Sequence, residues 1–215
     1  VIPPLFTGET GVVIATGPSL TKTQIDYVCK AHHQGLCRVF GINRTFIDVP
    51  CLDVFHAYNI EFWNYYGEQI QKINAHRWTV HTEIANKYGA FCIQLRDHEG
   101  FSKTPNYINK GHSSGFQILN IAYWYGCSRL LLLGYDMQYP KDYDGRARQA
   151  GTQRHYFGEY PKELQHFPSS GMDENKKLIG LIDLYKKIEV DIEIINCTPN
   201  SALDIWPMKP LNKCL

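Results

Sequence analysis

The chain has 215 residues, 44% of them hydrophobic and 20% charged, enough for one substantial core. With 22 basic and 21 acidic residues the formal charge is +1, which removes any global electrostatic argument for nucleic acid or an anionic membrane. No apolar run is long enough to span a bilayer and nothing at the start resembles a signal peptide.

Val12, Val13 and Ile14 form a short β-branched run that predicts a buried strand. Thr16, Gly17, Pro18 and Ser19 break it, and a helix is expected over 21–30 behind a Ser19 or Thr21 cap. Further strands are predicted at 38–42, 52–56, 78–81 and 91–95, with helices over 60–73 and 83–88 between them. Ser113, Ser114 and Gly115 open a helix through Trp124 that Gly126 ends, and Leu130 to Leu133 is the continuous apolar run of a parallel strand covered on both faces. Periodicity then disappears from 139 to 172, a stretch rich in Gly, Pro, Tyr, Arg and His that reads as a lid or active-site insertion. A helix over 174–188 and a strand over 191–196 close the chain. The βαβ rhythm predicts one α/β domain over 1–215, a Rossmann-like three-layer αβα sandwich on a mostly parallel sheet.

Seven cysteines stand at 29, 37, 51, 92, 127, 197 and 214, an odd number with no C-x-x-C pair. They predict neither a disulfide framework nor a structural zinc site, but small buried hydrophobes in a reducing cytoplasm.

Strand, glycine turn and helix start together aim backbone N–H groups at a phosphate, with Gly17 permitting close approach and Ser19 adding a hydroxyl donor. An ordinary capped βα turn accounts for the same residues, since neither a full G-x-G-x-x-G nor a P-loop lysine is present. Other strand ends bring Asn43, Asn59, Asp136, Asn200 and Ser201 toward the same sheet edge, where Ser113 and Ser114 supply a second helix N-terminus. Such an edge suits a nucleotide or a sugar, although each residue singly also serves as a strand terminator or cap. Asp136 reads equally as a ligand-binding and a turn-capping residue. Asp142 and Asp144 make a weak D-x-D signal inside the irregular stretch. His155 and His166 are the acid/base candidates, because imidazole titrates near neutral pH. Tyr139, Tyr143 and Tyr156 read either as phosphate or base contacts or as anchors of the loop. Arg146, Arg148 and Arg154 read as polymer-backbone contacts or a solvated loop.

The Val12 to Leu20 segment resembles the nucleotide loop of bacterial lipooligosaccharide sialyltransferases and flagellin-modifying motility accessory proteins. The segment from Ser113, Ser114 and Gly115 to Gly134 and Asp136 resembles their central S-G…G-x-D block, and Thr198, Pro199, Asn200 and Ser201 their closing T-P-N-S. The same pattern resembles a prophage-encoded group of uncertain role. The resemblance implies a Rossmann-like domain that binds a CMP-linked sugar without a metal, in a bacterial or phage-infected cytoplasm. It implies that Gly17, Pro18 and Ser19 lie at phosphate and ribose, that Asn43, Asn59, Ser114 and Gly115 contact the donor, and that Tyr139 and Tyr143 stabilise the departing phosphate. The family's G-H-S histidine has no counterpart in register between Pro168 and Asp173, and His155 is the expected substitute, ahead of His166.

The expected activity is glycosyl transfer from a nucleotide sugar to an acceptor hydroxyl on a glycan, protein, small molecule or modified DNA base. No further cofactor is required, and a homo-oligomer is compatible with this. One alternative is a pterin-type pyrophosphokinase using ATP and magnesium with Asp136 as a metal ligand. The other is a phage accessory or structural protein that keeps the fold without the chemistry.

Overall fold

A computed structural model describes residues 1–138, 154–165 and 174–215, with backbone alone at 174–177 and 179. In chain order the elements are β1 (Thr10–Ile14), α1 (Lys22–His33), β2 (Arg38–Ile42), α2 (Thr45–Asp48), β3 (Val54–His56), α3 (Ile60–Ile70), β4 (His76–Thr79), α4 (Thr82–Tyr88) and β5 (Phe91–Cys92). They continue with β6 (Gln94–Arg96), β7 (Tyr107–Asn109), α5 (Ser114–Trp124), β8 (Arg129–Leu133), α6 (Glu174–Tyr185) and β9 (Glu193–Asn196), with single 3-10 turns at Lys162–Leu164 and Leu211–Lys213.

Seven strands form one sheet in the order β5-β4-β3-β2-β1-β8-β9, every pair parallel. The chain walks outward from β1 to β5, returns, and lays β8 on the other side of β1. That reversal makes the β1–β8 junction the switch point where open α/β sheets place ligands beyond their carboxyl ends.

Alternation along the strands builds two cores. Val12, Ile14, Val39, Phe55, Leu131 and Leu133 face Ile25 and Val28 of α1, Phe62 and Trp63 of α3 and Ile84 of α4. Val13, Phe40, Val54, Leu130 and Leu132 face Ile118, Leu119 and Ile121 of α5 and Tyr185 of α6. Leu130 to Leu133 are each 0% exposed, as a strand covered on both faces requires. Each such leucine stabilises the fold by about 1.5–3 kcal/mol. The result is the expected three-layer αβα sandwich on a parallel sheet. No helix among the described residues is long and apolar enough to cross a membrane.

Some expectations need correction. The strand placed at 78–81 lies at His76–Thr79, and the one placed at 91–95 is split. Phe91–Cys92 ends the main sheet, and buried Ile93 lets Gln94–Arg96 join β7 in a separate two-stranded sheet. The last helix stops at Tyr185, and α2 and β7 had no strong period to announce them.

Cys29 and Cys51 form a disulfide, against the expectation from their spacing. Packing of α1 beside the β2–β3 connection brings their Cα atoms to 5.5 Å, a proximity that a separation of 22 residues does not encode. Cysteine usage therefore no longer argues for a reducing compartment. Cys37, Cys127, Cys197 and Cys214 are buried free thiols, and Cys92 is an exposed one.

Candidate functional site

After β1 the chain stays beside β8. The Ala15 amide donates to Leu133 O and the Gly17 amide to Gly134 O, at 2.8 and 2.9 Å. A Cβ on Gly17 would lie 1.9 Å from Asp136 Oδ2 and 2.4 Å from Gly134 O, so the close neighbour that requires glycine here is Asp136. Asp136 Oδ1 accepts from the Ser19 amide at 3.1 Å and Oδ2 from the Ser19 hydroxyl at 2.9 Å. The Leu20 amide donates to Gly17 O.

The amides of Gly17, Ser19 and Leu20 thus all have protein acceptors, and a carboxylate occupies the place where the glycine turn was expected to hold a phosphate. Burial pushes the Asp136 pKa above its usual 3.8, with the two Ser19 bonds opposing the shift. Helix α1 starts beyond this turn with an exposed Thr21–Gln24 capping box.

The helix that does open onto the cleft is α5. Its N-cap Ser113 accepts from the Phe116 amide through Oγ at 3.1 Å, and Ser114 Oγ donates to Asn43 Oδ1 at 3.4 Å. Asn43 ends β2 in the left-handed region (φ 48°), its amide donating to His56 O. Tyr135 donates its hydroxyl to Gly115 O at 2.9 Å, and the Tyr185 hydroxyl lies 3.4 Å from Ser113 Oγ. Burial pushes the Tyr185 pKa up to about 12 and that of Tyr135 well above 10, so both remain neutral phenols.

One level below, His56 is fully buried between the Trp78 carbonyl (Nδ1, 3.2 Å) and Gln117 Oε1 (Nε2, 2.7 Å), while Gln117 Nε2 donates to Lys110 O. Two acceptors favour a protonated ring, but burial opposes the charge and prevails, leaving the His56 pKa below its usual 6.5.

Residues 154–165 return over the carboxyl edge of the sheet. The Tyr156 amide donates to Thr16 O at 3.3 Å and its hydroxyl to Asp48 Oδ2 at 2.8 Å, Leu164 is buried, and Arg44 lies over the Phe157 ring at 4.4 Å. His155 stacks on Phe157 (centroids 5.0 Å, planes 8° apart) with Tyr160 at its edge. His155 Nδ1 sits 3.3 Å from Thr16 O. A carbonyl can only accept, so the ring donates to it through Nδ1–H.

Two cavities flank this segment. The first, of about 200 Å³, is lined by Thr16, Gly17, Pro18, Asn43, Ser113 to Gly115, Asp136, Arg154, His155 and Tyr185 among others. The second, of about 240 Å³, is lined by Asn43, Asn59, Phe62, Arg154, His155, Glu159, Tyr160, Leu164 and Gln165. They share Asn43, Arg154 and His155.

The structure therefore gathers Gly17, Pro18, Asn43, Asn59, Ser113, Ser114, Gly115, Asp136 and His155 around one cleft. Ser19 stands behind it, committed to Asp136. Asn200 and Ser201 do not line either cavity: exposed Asn200 accepts from Gln138 through its carbonyl, and buried Ser201 Oγ donates to Tyr135 O and accepts from the Leu203 amide. These two hold the turn after β9. Tyr139, Asp142, Tyr143, Asp144, Arg146, Arg148 and His166 lie outside the described residues.

Among residues the sequence did not single out, Gln165, Phe62 and Tyr185 join the lining, and Arg154, expected as a polymer-backbone contact or part of a solvated loop, lines both cavities. No protein-family model matches the chain and no curated protein matches it, so the geometry of the cleft carries the functional argument.

Proposed function

We propose that this protein is a glycosyltransferase-like enzyme that moves a sugar from a nucleotide-activated donor, a CMP sugar first among them, to an acceptor hydroxyl. The observation that carries this reading is the place of His155. It lines both cavities above the carboxyl ends of the strands, with Nδ1 held on the Thr16 carbonyl. An imidazole in the wall shared by two adjoining spaces suits a nucleotide sugar that lies through both, with its anomeric carbon beside the ring where an acceptor hydroxyl can reach it.

In this mechanism the acceptor hydroxyl gives its proton to His155 Nε2 as its oxygen bonds to the anomeric carbon. The bond from that carbon to the phosphate oxygen breaks, and the phosphate leaves with the electron pair. The N-terminal end of α5 favours that negative charge. Tyr139 and Tyr143 are assigned to the leaving phosphate by the family resemblance. The same resemblance, rather than the cysteines, points to a bacterial or phage-infected cytoplasm and to a glycan, protein, small-molecule or modified-base acceptor.

A thermal-shift panel of nucleotides and nucleotide sugars, with and without magnesium, tests the reading. A rise in Tm with a sugar nucleotide in metal-free buffer supports it by mass action. A rise with Mg-ATP alone would replace it by the pyrophosphokinase, and no rise at all by the non-enzymatic role. Once a donor is known, His155→Ala is expected to lower kcat by about 10²–10⁴-fold while leaving donor binding within about threefold. Unchanged turnover would remove His155 as the base.

A further inference from the structure

We propose that Arg154 grips the anionic group of one elongated ligand lying across both cavities, a nucleotide whose phosphate sits at the waist between them. The inference rests on the reading of this cleft as a nucleotide site and adds the residue that fixes the ligand in it.

Size is the first argument. Pockets that enclose a drug-sized ligand measure about 300–1,000 Å³. Cavities of about 200 and 240 Å³ each fall short of that, whereas the two together, which share Asn43, Arg154 and His155 in their lining, reach it.

Charge is the second. Among the described residues lining the two spaces, the permanent charges are Asp136, Glu159 and Arg154. Asp136 fills the β1–α1 turn and spends both oxygens on Ser19, while the neighbouring amides of Gly17 and Ser19 donate to Gly134 O and to Asp136 itself. A phosphate there would face a carboxylate and find those donors already engaged. Glu159 lies on the far side, in the second cavity, and is exposed. The cation, Arg154, lines both spaces, as do Asn43 and His155.

A guanidinium offers five N–H donors in a planar fork, so it can keep a contact within the protein and still present two parallel donors to a phosphate. The lining on either side suits the uncharged parts of such a ligand. Asn59 and Gln165 bring amides and Tyr160 an aromatic ring in the second cavity, and the N-terminal end of α5 at Ser114 and Gly115 lines the first, on the phosphate side.

Titration calorimetry on the full chain tests this, using the four ribonucleoside 5′-monophosphates, the matching nucleosides and inorganic pyrophosphate against wild type, Arg154→Gln and Arg154→Lys. The expected result is that Arg154→Gln weakens the preferred monophosphate and pyrophosphate by about tenfold or more and leaves the nucleoside within about twofold. Arg154→Lys, which keeps the charge without the fork, is expected to fall between. Equal monophosphate affinity in wild type and Arg154→Gln overturns the assignment while leaving the nucleotide reading intact. Arg154-dependent pyrophosphate binding with no nucleotide bound supports the anion grip and overturns the nucleotide reading. Absence of all binding to wild type overturns both. Should Arg154→Gln not fold, Arg154→Lys decides: monophosphate and nucleoside weakened equally, or neither weakened, overturns the assignment.

Discussion

Asp136 shows how one side chain can read two ways in a sequence and a third way in the fold. Its carboxylate takes the position of a bound anion in the β1–α1 turn, where it locks Ser19 and leaves no room for a Cβ on Gly17. Because burial raises its pKa above 3.8, the folded state binds this proton more tightly than the unfolded chain. Stability from this group is therefore greatest at low pH and is lost as pH rises from 3.8 through the folded value. Asp136→Asn keeps an acceptor for the Ser19 amide and has no charge to bury. The stability of Asp136→Asn relative to wild type, from urea melts, is expected to increase as pH rises from about 4 and to level off above the folded pKa of Asp136. A difference that is flat with pH would show that Asp136 ionises as easily folded as unfolded. Residue identity at the site was legible because strand ends in an α/β sheet are visible in the sequence and converge on one edge. What Ser19, Asn200 and Ser201 bond to was not, because each spends its hydrogen bonds on a partner fixed only by tertiary packing.

At the scale of elements, α5 carries the cleft's small polar residues and is held by groups far from its own sequence. Its buried Asn120 accepts from the amides of Ser102 and Asn109, which pins the loop before β7 and the end of β7 itself, and Gln117 links His56 of β3 to the Lys110 carbonyl. This explains why β7, three residues without a clear period, forms at all, and why it was not legible. The long strands β1, β2 and β8 were, because apolar runs there follow directly from burial on both faces. Gln117→Leu strips the acceptor from His56 Nε2 inside the core and is expected to cost about 1–3 kcal/mol at pH 8. The His56 pKa is already below 6.5, so its stabilisation is present above that pH and is lost as pH falls through the folded value. Removing the Gln117 bond, which opposes that depression, lowers the pKa further, so the deficit of the variant widens once pH falls through the wild-type folded pKa. Urea melts between about pH 8 and 5 check this. A variant within about 0.5 kcal/mol of wild type throughout would show that Gln117 does not anchor the helix.

For the molecule as a whole, the parallel sheet separates function from reinforcement. The cleft lies beyond the carboxyl ends of the strands, whereas Cys51 precedes β3 and Cys29 sits in the second half of α1 as it returns to the amino end of β2. The disulfide therefore braces the edge opposite the cleft. Alternating periods made the parallel α/β architecture legible. They carried no information on strand order beyond β1 or on which cysteines meet, since both depend on how the crossovers pack. Closing a loop with a separation of 22 residues limits the unfolded chain and is expected to stabilise the fold by about 3 kcal/mol. For a chain of this size that corresponds to a fall in Tm of about 6–12 °C on reduction, and the same fall is expected for Cys29→Ala/Cys51→Ala without reductant. Because the bond is remote from the cleft, the rise in Tm produced by a bound nucleotide should be the same in the oxidised and reduced protein. Calorimetric scans with and without a phosphine reductant, each with and without nucleotide, separate the two effects. A loss of Tm together with a loss of the ligand-induced rise would mean that the brace extends through the sheet to the Gly17 turn, so that the two edges act as one unit.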